Sequence, residues 1–300
     1  MRSFTQKTAK MSKLPKPISA LIPLSLKQFV YSLKDRKATL ITLEGFKLAV
    51  HQHDTVISES IRNNKIWAEA ETRLFRELIR PGMVVVDVGA NIGYFSLLAS
   101  MLVGSAGRVH AFEPDPVNCA LLRKNVRLNR ASNIEVIQAA LSDNEDPVSL
   151  FLDSDNKGDH RIWEPTGEAR KGIKVTATTL DAYLKKTATV PSFIKIDVQG
   201  AEGKVLDGMK QTFAQTGPAY LILEFWPAAL RKCGTEPKHV IQQIADAGFT
   251  IRVVADVLLL GKQAKVEETF SSANAQALID LADAAPYQQV DLICVRQVDA

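Results

Sequence analysis

The sequence contains only three cysteines and lacks any long apolar run. Cys119, Cys233 and Cys294 are far apart in the chain, and no CxxC or Cys/His spacing typical of a zinc site occurs. A disulfide framework and a metal centre are therefore not expected, and a reducing, cytoplasmic environment is favoured. No apolar run reaches the ~20 residues that a transmembrane helix requires, and no apolar core of a secretory signal is evident.

Patterns that bind phosphate are missing as well. No GxxxxGK string followed by Ser or Thr occurs, which excludes a P-loop and its phosphoryl-transfer chemistry. The glycine turn in Met83–Met101 (MVVVDVGANIGYFSLLASM) reads DxGxxxG, with Asn91 where a GxGxxG dinucleotide fingerprint has its second glycine. A phosphate, a dinucleotide and a sulfonium nucleoside are the three ligands to consider for such a turn.

Basic residues outnumber acidic residues only at the start of the chain. Residues 1–37 hold nine Lys or Arg and one acid, whereas the other residues hold 28 bases and 32 acids. The acidic body argues against nucleic acid as a partner. Apolar positions in the basic arm have near-helical spacing but are interrupted by prolines. We favour an arm packed on its own body, and the alternative is a peripheral membrane contact through a helix on acidic lipid.

The rest of the chain is expected to form a β-hairpin extension (38–65) followed by an α/β domain (66–300). Residues 38–57 alternate in polarity and turn near Glu44 and Gly45, and 66–80 has one apolar helical face. About seven strands then alternate with helices, which implies mostly parallel pairing. The predicted strands are 84–88, 108–113, 134–139, 192–197, 220–225, 249–254 and 290–296. The predicted helices are 94–102, 116–128, one from about 202, and 238–247.

A long insertion, 142–179, separates the third and fourth strands of the predicted domain. It contains FLDSDNKGDHRIWEPTG, which is polar and includes glycines and aromatic residues, unlike a connection that only packs against the sheet. Ligands of open α/β sheets lie beyond the carboxyl ends of the strands. The insertion is therefore predicted to cover a substrate.

Two carboxylates help to choose the ligand of the glycine turn. Asp87 in the turn would repel a pyrophosphate but would favour the sulfonium and ammonium groups of S-adenosylmethionine. Glu113 ends the second strand, 20 residues after Gly93, and can accept hydrogen bonds from both ribose hydroxyls. Glu113 would serve NAD equally well. Together with Asn91 in place of glycine, however, the two acids favour S-adenosylmethionine.

Four ordered segments resemble the FkbM family of S-adenosylmethionine-dependent methyltransferases. They are VVVDVGANIGYFS, GRVHAFEPDPVNCALLRKNVRLN, IKIDVQGAEGKVLDG and LILEFWP, within a resemblance that covers roughly 39–296. The family implies a Rossmann-like class I methyltransferase fold, with a seven-stranded, mostly parallel sheet whose last strand is antiparallel. It also implies O-methylation of hydroxyls on sugars, glycolipids and polyketide-type metabolites.

The resemblance also implies a set of cofactor-binding residues. In these proteins a loop lies beside the methionine part of the cofactor, a carboxylate accepts the ribose hydroxyls, and further residues surround the adenine. In chain order, the loop comprises Asp87, Gly89, Ala90, Asn91 and Gly93, the ribose residue is Glu113, and the adenine residues are Pro114, Ala140, Leu141 and Asp143. Family members often have DVEGAE where this chain has DVQGAE, so Gln199 puts an acid–base role at that position in doubt.

Three side chains are candidate catalytic groups for removal of the acceptor's proton. Asp197 ends the fourth strand beside the first, and Glu202 lies in the first turn of the next helix. His160 lies in the covering insertion, and an imidazole suits proton removal near neutral pH. Each has a structural alternative: contact with the cofactor's ammonium, stabilisation of the helix dipole and an exposed loop position, respectively.

Substrate contacts are expected from the same edge of the sheet. Arg161 could bind an anionic group of the acceptor, and Glu224 and Trp226 end the fifth strand as a lip suited to a sugar or lipid. Packing of that lip is an alternative. His51 and His53, in the hairpin, are interpreted as surface residues.

The predicted activity is S-adenosylmethionine-dependent O-methylation, EC 2.1.1.-, of a small-molecule or glycan acceptor. The alternatives are an NAD-dependent oxidoreductase and a non-catalytic adenosyl-binding scaffold. The strings NPPY and DPPY, typical of methylation of amines and nucleobases, are absent. The sequence does not indicate the oligomeric state.

Overall fold

The structure, a computed structural model, describes residues 38–167, 169–214, 218–254 and 269–296. The predicted basic arm, 1–37, and its membrane contact lie outside these residues. Within the described parts of the chain, no helix is long and apolar enough to cross a membrane.

An antiparallel hairpin opens the described chain, as predicted. Its strands are β1 (Ala38–Thr42) and β2 (Lys47–His51). Asn125 attaches the hairpin to the body: its Oδ1 accepts from Ala49 N at 2.8 Å, and its Nδ2 donates to Ala49 O at 2.9 Å. Helices α1 (Ile57–Asn64) and α2 (Glu69–Leu78) follow, and α2 confirms the helix predicted over 66–80.

The α/β body alternates strands and helices close to the predicted bounds. Its first half contains β3 (Val84–Val88), α3 (Tyr94–Val103), β4 (Arg108–Phe112), α4 (Pro116–Leu128) and β5 (Ile134–Ile137). Valine-rich β3 is buried because helices cover both faces of the sheet. Helix α3 is apolar on nearly every side, since it lies between the sheet and α2.

The second half of the body carries the remaining main strands. It contains α5 (Leu180–Thr187), β10 (Phe193–Ile196), α6 (Glu202–Asp207), α7 (Lys210–Ala214), β11 (Tyr220–Phe225), α8 (Pro227–Lys232), α9 (Pro237–Asp246), β12 (Thr250–Val254), β13 (Thr269–Phe270), α10 (Ala275–Ala284) and β14 (Val290–Val295). Two short 3₁₀ turns, Ser272–Asn274 and Pro286–Gln288, flank α10.

The described residues form a central sheet with the strand order β13-β12-β14-β11-β10-β3-β4-β5. Strands β5, β4, β3, β10 and β11 are parallel neighbours, and β14 runs antiparallel to both β11 and β12. The mostly parallel sheet and the antiparallel last strand are confirmed. The prediction of seven strands is corrected to eight, because the two-residue edge strand β13 is too short to show a period in the sequence.

The chain leaves β3 toward β4 and β5 on one side, and it returns to β10 on the other side. The carboxyl ends of β3 and β10 therefore border the crevice at which open α/β sheets bind ligands. The insertion after β5 forms two small sheets rather than an irregular loop. They pair β6 (Ala140–Leu141) with β9 (Ala177–Thr178), and β7 (Val148–Leu152) with β8 (Lys171–Val175).

Candidate active site

The glycine turn after β3 is held in a conformation that needs glycine. Gly89 has φ +82°, and a Cβ atom added there would lie 1.9 Å from the backbone oxygen of Asp197. Gly93 has φ +93° and precedes α3. L residues other than glycine rarely adopt this region. Gly89 lets the turn approach the end of β10, whereas a Cβ atom at Gly93 would lie 2.3 Å from Leu122 Cδ1 of α4.

The amides of this turn are already used within the protein. Gly89 N and Ala90 N both donate to Phe112 O, at 3.0 and 2.9 Å. Asn91 N donates to Glu113 Oε2 at 2.8 Å, and Ile92 N donates to Asn91 Oδ1 at 2.7 Å. Dinucleotide sites bind pyrophosphate through such amides. The turn therefore has no arrangement of free amides suited to a pyrophosphate.

Glu113, just beyond β4, is a buried carboxyl with two backbone donors. Its Oε2 accepts from Asn91 N, and its Oε1 accepts from Asp115 N at 2.8 Å. Burial and the neighbouring Asp115 raise the pKa of Glu113 to about 8. When Glu113 is ionised, each of its oxygens has a second lone pair that can accept a ligand hydroxyl, and when it is protonated it can also donate a hydrogen bond.

A cavity of about 560 Å³ opens beside these groups. Eight of the residues predicted to form the site line it: Gly89, Asn91, Glu113, Pro114, Ala140, Leu141, His160 and Asp197. Leu150 and Ile162 of the insertion add apolar surface, so the predicted cover does border the cavity. The cavity combines apolar side chains with the carboxyls of Glu113 and Asp197, and Lys157 also lines it. Apolar walls with a few polar groups are typical of a small-molecule site.

The remaining predicted cofactor residues lie behind the cavity wall or away from it. Asp87 is not in the turn but within β3; it is 1% exposed, and its Oδ2 accepts from Ser96 Oγ at 2.5 Å. Burial raises the pKa of Asp87. Ala90 and Gly93 do not line the cavity, and Asp143 pairs with Lys204 at 3.4 Å. Asp87 therefore does not face the cavity, and the predicted contact between its carboxylate and the positive groups of the cofactor is not available to it.

His160 lines the cavity but has both ring nitrogens engaged. Its Nδ1 accepts from Asp153 N at 3.1 Å, which assigns the proton of the neutral ring to Nε2. That Nε2 faces Asp115 Oδ2 at 3.7 Å, and Asp115 is itself buried. Contact with His160 and backbone donors outweighs burial, so the pKa of Asp115 is lowered. His160 therefore connects the insertion to the start of α4.

Glu202 and Glu224 do not line the cavity. Glu202 is fully buried, and its Oε1 accepts from Val198 N at 3.0 Å and Gly200 N at 3.2 Å, so it holds the loop after β10. Burial raises the pKa of Glu202 to about 7. Burial and nearby acids, Asp197 first among them, raise the pKa of Glu224 well above its usual value.

Arg161 and Trp226 form a stack instead of a free substrate clamp and lip. The guanidinium of Arg161 lies 4.7 Å from the ring centre of Trp163 and 4.9 Å from that of Trp226. Arg161 also makes two bonds to the carboxylate of Asp159, at 2.5 and 2.7 Å. Trp163 Nε1 donates to Gln199 O at 2.9 Å. This stack attaches the insertion to the loops after β10 and β11.

Sequence reasoning missed the asparagines that seat the insertion on the glycine turn. Asn91 Nδ2 and Asn118 Nδ2 both donate to Lys157 O, at 2.9 and 3.0 Å. The interpretation of His51 as a surface residue was wrong: it is 2% exposed, and its Nε2 lies 2.8 Å from Asn118 Oδ1. The spacing of Asn118 within PDPVN, one turn into a helix, is the only sequence pattern that could have indicated this contact.

Asp197 lies where β10 adjoins β3, on the edge of the cavity. Its side chain is 37% exposed, and Lys195 Nζ donates to its Oδ2 at 2.9 Å. Within the described ranges, no group of three or more His, Cys, Asp and Glu side chains is arranged to hold a metal ion. The cavity thus has one accessible carboxylate next to the glycine turn.

The family model of the methyltransferase FkbM domain matches residues 87–251. The 2-O-methyltransferase NoeI of Sinorhizobium fredii is 26% identical over 189 residues, which are 58% of this chain and 76% of that protein. The 31-O-demethyl-FK506 methyltransferase FkbM of Streptomyces tacrolimicus is 52% identical over 65 residues, 22% of this chain and 24% of that protein. The solved FkbM methyltransferase of Methylobacillus flagellatus aligns with TM-score 0.42 and 15% identity, over 75% of this chain and 50% of that chain.

Proposed function

The chain belongs to the FkbM methyltransferase domain family and is an S-adenosylmethionine-dependent methyltransferase; from this premise we propose that it methylates a hydroxyl group of a carbohydrate, glycolipid or polyketide-like metabolite. The observation that carries the proposal is the juxtaposition of the glycine turn, Glu113 and Asp197 on one cavity. The names of the similar enzymes NoeI and FkbM, which describe O-methylation, support the hydroxyl acceptor.

We assign the adenosyl group of the cofactor to the apolar part of the cavity. Glu113 would accept the ribose hydroxyls, and Pro114, Ala140 and Leu141 would contact the adenine. The turn at Gly89 would border the methionine part. The residues fit this ligand because the turn amides are used internally and the carboxyls of Glu113 and Asp197 border the cavity, while Lys157, which also lines it, donates its Nζ to Asp153 O.

Bound S-adenosylmethionine supplies a methyl group activated by its sulfonium. The protein must hold the acceptor oxygen in line with that methyl, which is mainly a matter of orientation. In this proposal Asp197 orients the acceptor hydroxyl and takes its proton at one of its Oδ atoms. A placed base typically contributes ~10²–10⁴-fold to such a reaction.

The other two candidate catalytic residues receive supporting roles in the proposal. His160 would keep the insertion closed over the adenosyl group through Asp153 and Asp115. Glu202 would hold the loop that carries Asp197. These roles are supported by the contacts that His160 and Glu202 make within the protein.

Calorimetric titration with S-adenosylhomocysteine and, separately, with NAD tests the cofactor assignment. We expect micromolar binding of the former and none of the latter. A panel of hydroxylated sugars, glycolipids and macrolides is then incubated with S-adenosylmethionine and examined by mass spectrometry for an added methyl group. Cofactor binding without methylation of any hydroxyl would favour a non-catalytic scaffold or another acceptor class, and binding of NAD alone would contradict the proposal.

A further inference from the structure

Asp197 is held from two sides by donors of its own chain segment. Lys195 Nζ lies 2.9 Å from Asp197 Oδ2, and Gln199 Nε2 lies 2.9 Å from Asp197 Oδ1. A carboxylate with one donor on each oxygen cannot rotate without losing a hydrogen bond. The orientation of the accessible carboxylate on the cavity edge is therefore set by these two neighbours.

Lys195 is a buried cation inside the central sheet. It is 4% exposed, lies opposite Asp87 in the β3 register, and its Nζ is 4.9 Å from the ring centre of Phe95. Burial would lower the pKa of Lys195, but Asp197 and Asp87 raise it above its usual value, so the side chain stays charged. A buried ion pair is weak support for stability compared with apolar packing. The hydrogen bond of Lys195 therefore matters more for the position of the Asp197 carboxylate than for the stability of the fold.

Gln199 connects Asp197 to a second carboxyl. Its Nε2 also donates to Glu224 Oε2 at 2.9 Å, and Gln289 Nε2 donates to Glu224 Oε1 at 2.9 Å. The backbone of Gln199 has φ +55°, an uncommon conformation for a residue with a side chain, and Trp163 holds its carbonyl. The primary amide of Gln199 carries two N–H donors, so this one side chain donates to both carboxyls at once.

We infer that Lys195 and Gln199 are positioning residues for methyl transfer, which fix the carboxylate of Asp197 in the orientation that the acceptor hydroxyl requires. The inference rests on the proposed function, in which Asp197 contacts the acceptor. Lys195 does not line the cavity, whereas Gln199 borders it; in this inference both act through their hydrogen bonds to Asp197.

The kinetic test uses Lys195→Met and Gln199→Met, which remove the donors and keep the length of the side chains. We expect kcat to fall by about 10- to 100-fold, while the Kd for S-adenosylhomocysteine changes by less than about threefold, because a misplaced base mainly affects the chemical step. Lys210→Met and Gln242→Met are matched controls, since both side chains lie on exposed helix surfaces and bond only to nearby acids.

A double-variant comparison distinguishes positioning from a general structural role. If Lys195 acts through Asp197, adding Lys195→Met to Asp197→Asn should reduce kcat no further than Asp197→Asn alone. Additive losses in the double variant, or a loss confined to cofactor affinity, would overturn the inference.

A crystallographic readout does not depend on finding the acceptor. In structures of Lys195→Met and Gln199→Met with S-adenosylhomocysteine, we expect the Asp197 carboxylate to rotate or to occupy more than one orientation. An unchanged carboxylate in both variants would overturn the inference. Failure of the wild-type protein to methylate any hydroxyl would instead count against the proposed function, while this readout still tests the role of Lys195 and Gln199.

Discussion

The two sides of the cavity are built in different ways. On the cofactor side, the turn after β3 and the end of β4 satisfy each other's hydrogen bonds within one βαβ unit, as with Asn91 and Glu113. On the acceptor side, Asp197 depends on a chain of polar contacts from β10 through Gln199 and Glu224 to Gln289, before β14. The cofactor side is therefore a local motif, whereas the acceptor side forms only when the strands of the sheet have assembled.

Asp197→Asn is expected to break the acceptor side and leave the cofactor side intact. The amide keeps the shape but cannot take a proton, so kcat should fall by about 10²–10³-fold. The Kd for S-adenosylhomocysteine, measured by calorimetry, should change by less than about threefold. Asp246→Asn, on the exposed surface of α9, is the control. A cofactor Kd that weakens as much as kcat falls would assign Asp197 to the cofactor instead.

Glu113→Ala is expected to break the cofactor side. It removes the acceptors for the ribose hydroxyls and leaves Asn91 N and Asp115 N without their carboxylate partner. A hydrogen bond to a neutral group is worth about 0.5–1.5 kcal/mol, so losing the two bonds to the ribose should weaken the affinity for S-adenosylhomocysteine about 5- to 150-fold. Glu77→Ala, on an exposed part of α2, should bind normally. Equal affinity of the two variants would exclude Glu113 from the ribose site.

The pH dependence of stability sharpens the comparison, because Glu113 titrates within the cofactor side. Its pKa of about 8 in the folded protein exceeds that of an unfolded chain, so the folded state holds a proton that the unfolded state releases. The resulting stabilisation is full below about pH 4.5 and is lost as the pH rises through about 8. Even 1 kcal/mol corresponds to about 2–4 °C in Tm.

The measurement is Tm of the ligand-free protein between about pH 6 and 10, for the wild type and Glu113→Gln. The wild-type Tm should fall more steeply through about pH 8 than that of the variant, since the amide does not titrate. Other buried carboxyls such as Glu224 are common to both proteins and cancel in the difference. Parallel curves would contradict a proton on Glu113 at neutral pH.

Trp163→Phe should have the smallest effect, because it weakens only the attachment of the insertion to the loop after β10. The variant keeps an aromatic ring beside Arg161 but loses the bond from Nε1 to Gln199 O. One neutral hydrogen bond is worth about 0.5–1.5 kcal/mol, so cofactor affinity should fall about two- to tenfold. Trp226→Phe is the matched control, since Trp226 Nε1 has no hydrogen-bond partner among the described residues. A similar loss in both variants would assign the effect to ring packing.

The sequence predicted the fold well because its patterns are local. The valine run of β3, the proline and Asp115 cap of α4 and the LILEF strand each specify an element within a few residues. The short strand β13 was missed because two residues show no period. The basic arm, 1–37, was predicted from charge alone and lies outside the described residues.

The sequence predicted which residues of the candidate site lie at neighbouring strand ends, but it did not predict where their side chains point. Glu113 and Asp197 end β4 and β10, and parallel strands bring their carboxyl ends to one edge of the sheet. The orientation of side chains was not predictable. Asp87 points into the core toward Ser96, and Arg161 stacks between two tryptophans rather than facing a ligand.

The order of strands and helices, the glycine turn and the family could be read from the sequence, because these depend on residues close together in the chain. The sharing of a site by distant polar groups depends on how the strands pair. Lys195, Gln199, Glu224 and Gln289 come from three strand ends, and their contacts with Asp197 or with one another arise when β10, β11 and β14 pair. Hydrogen bonds act over about 3 Å, so such a network forms only after long-range packing has placed each donor beside its acceptor.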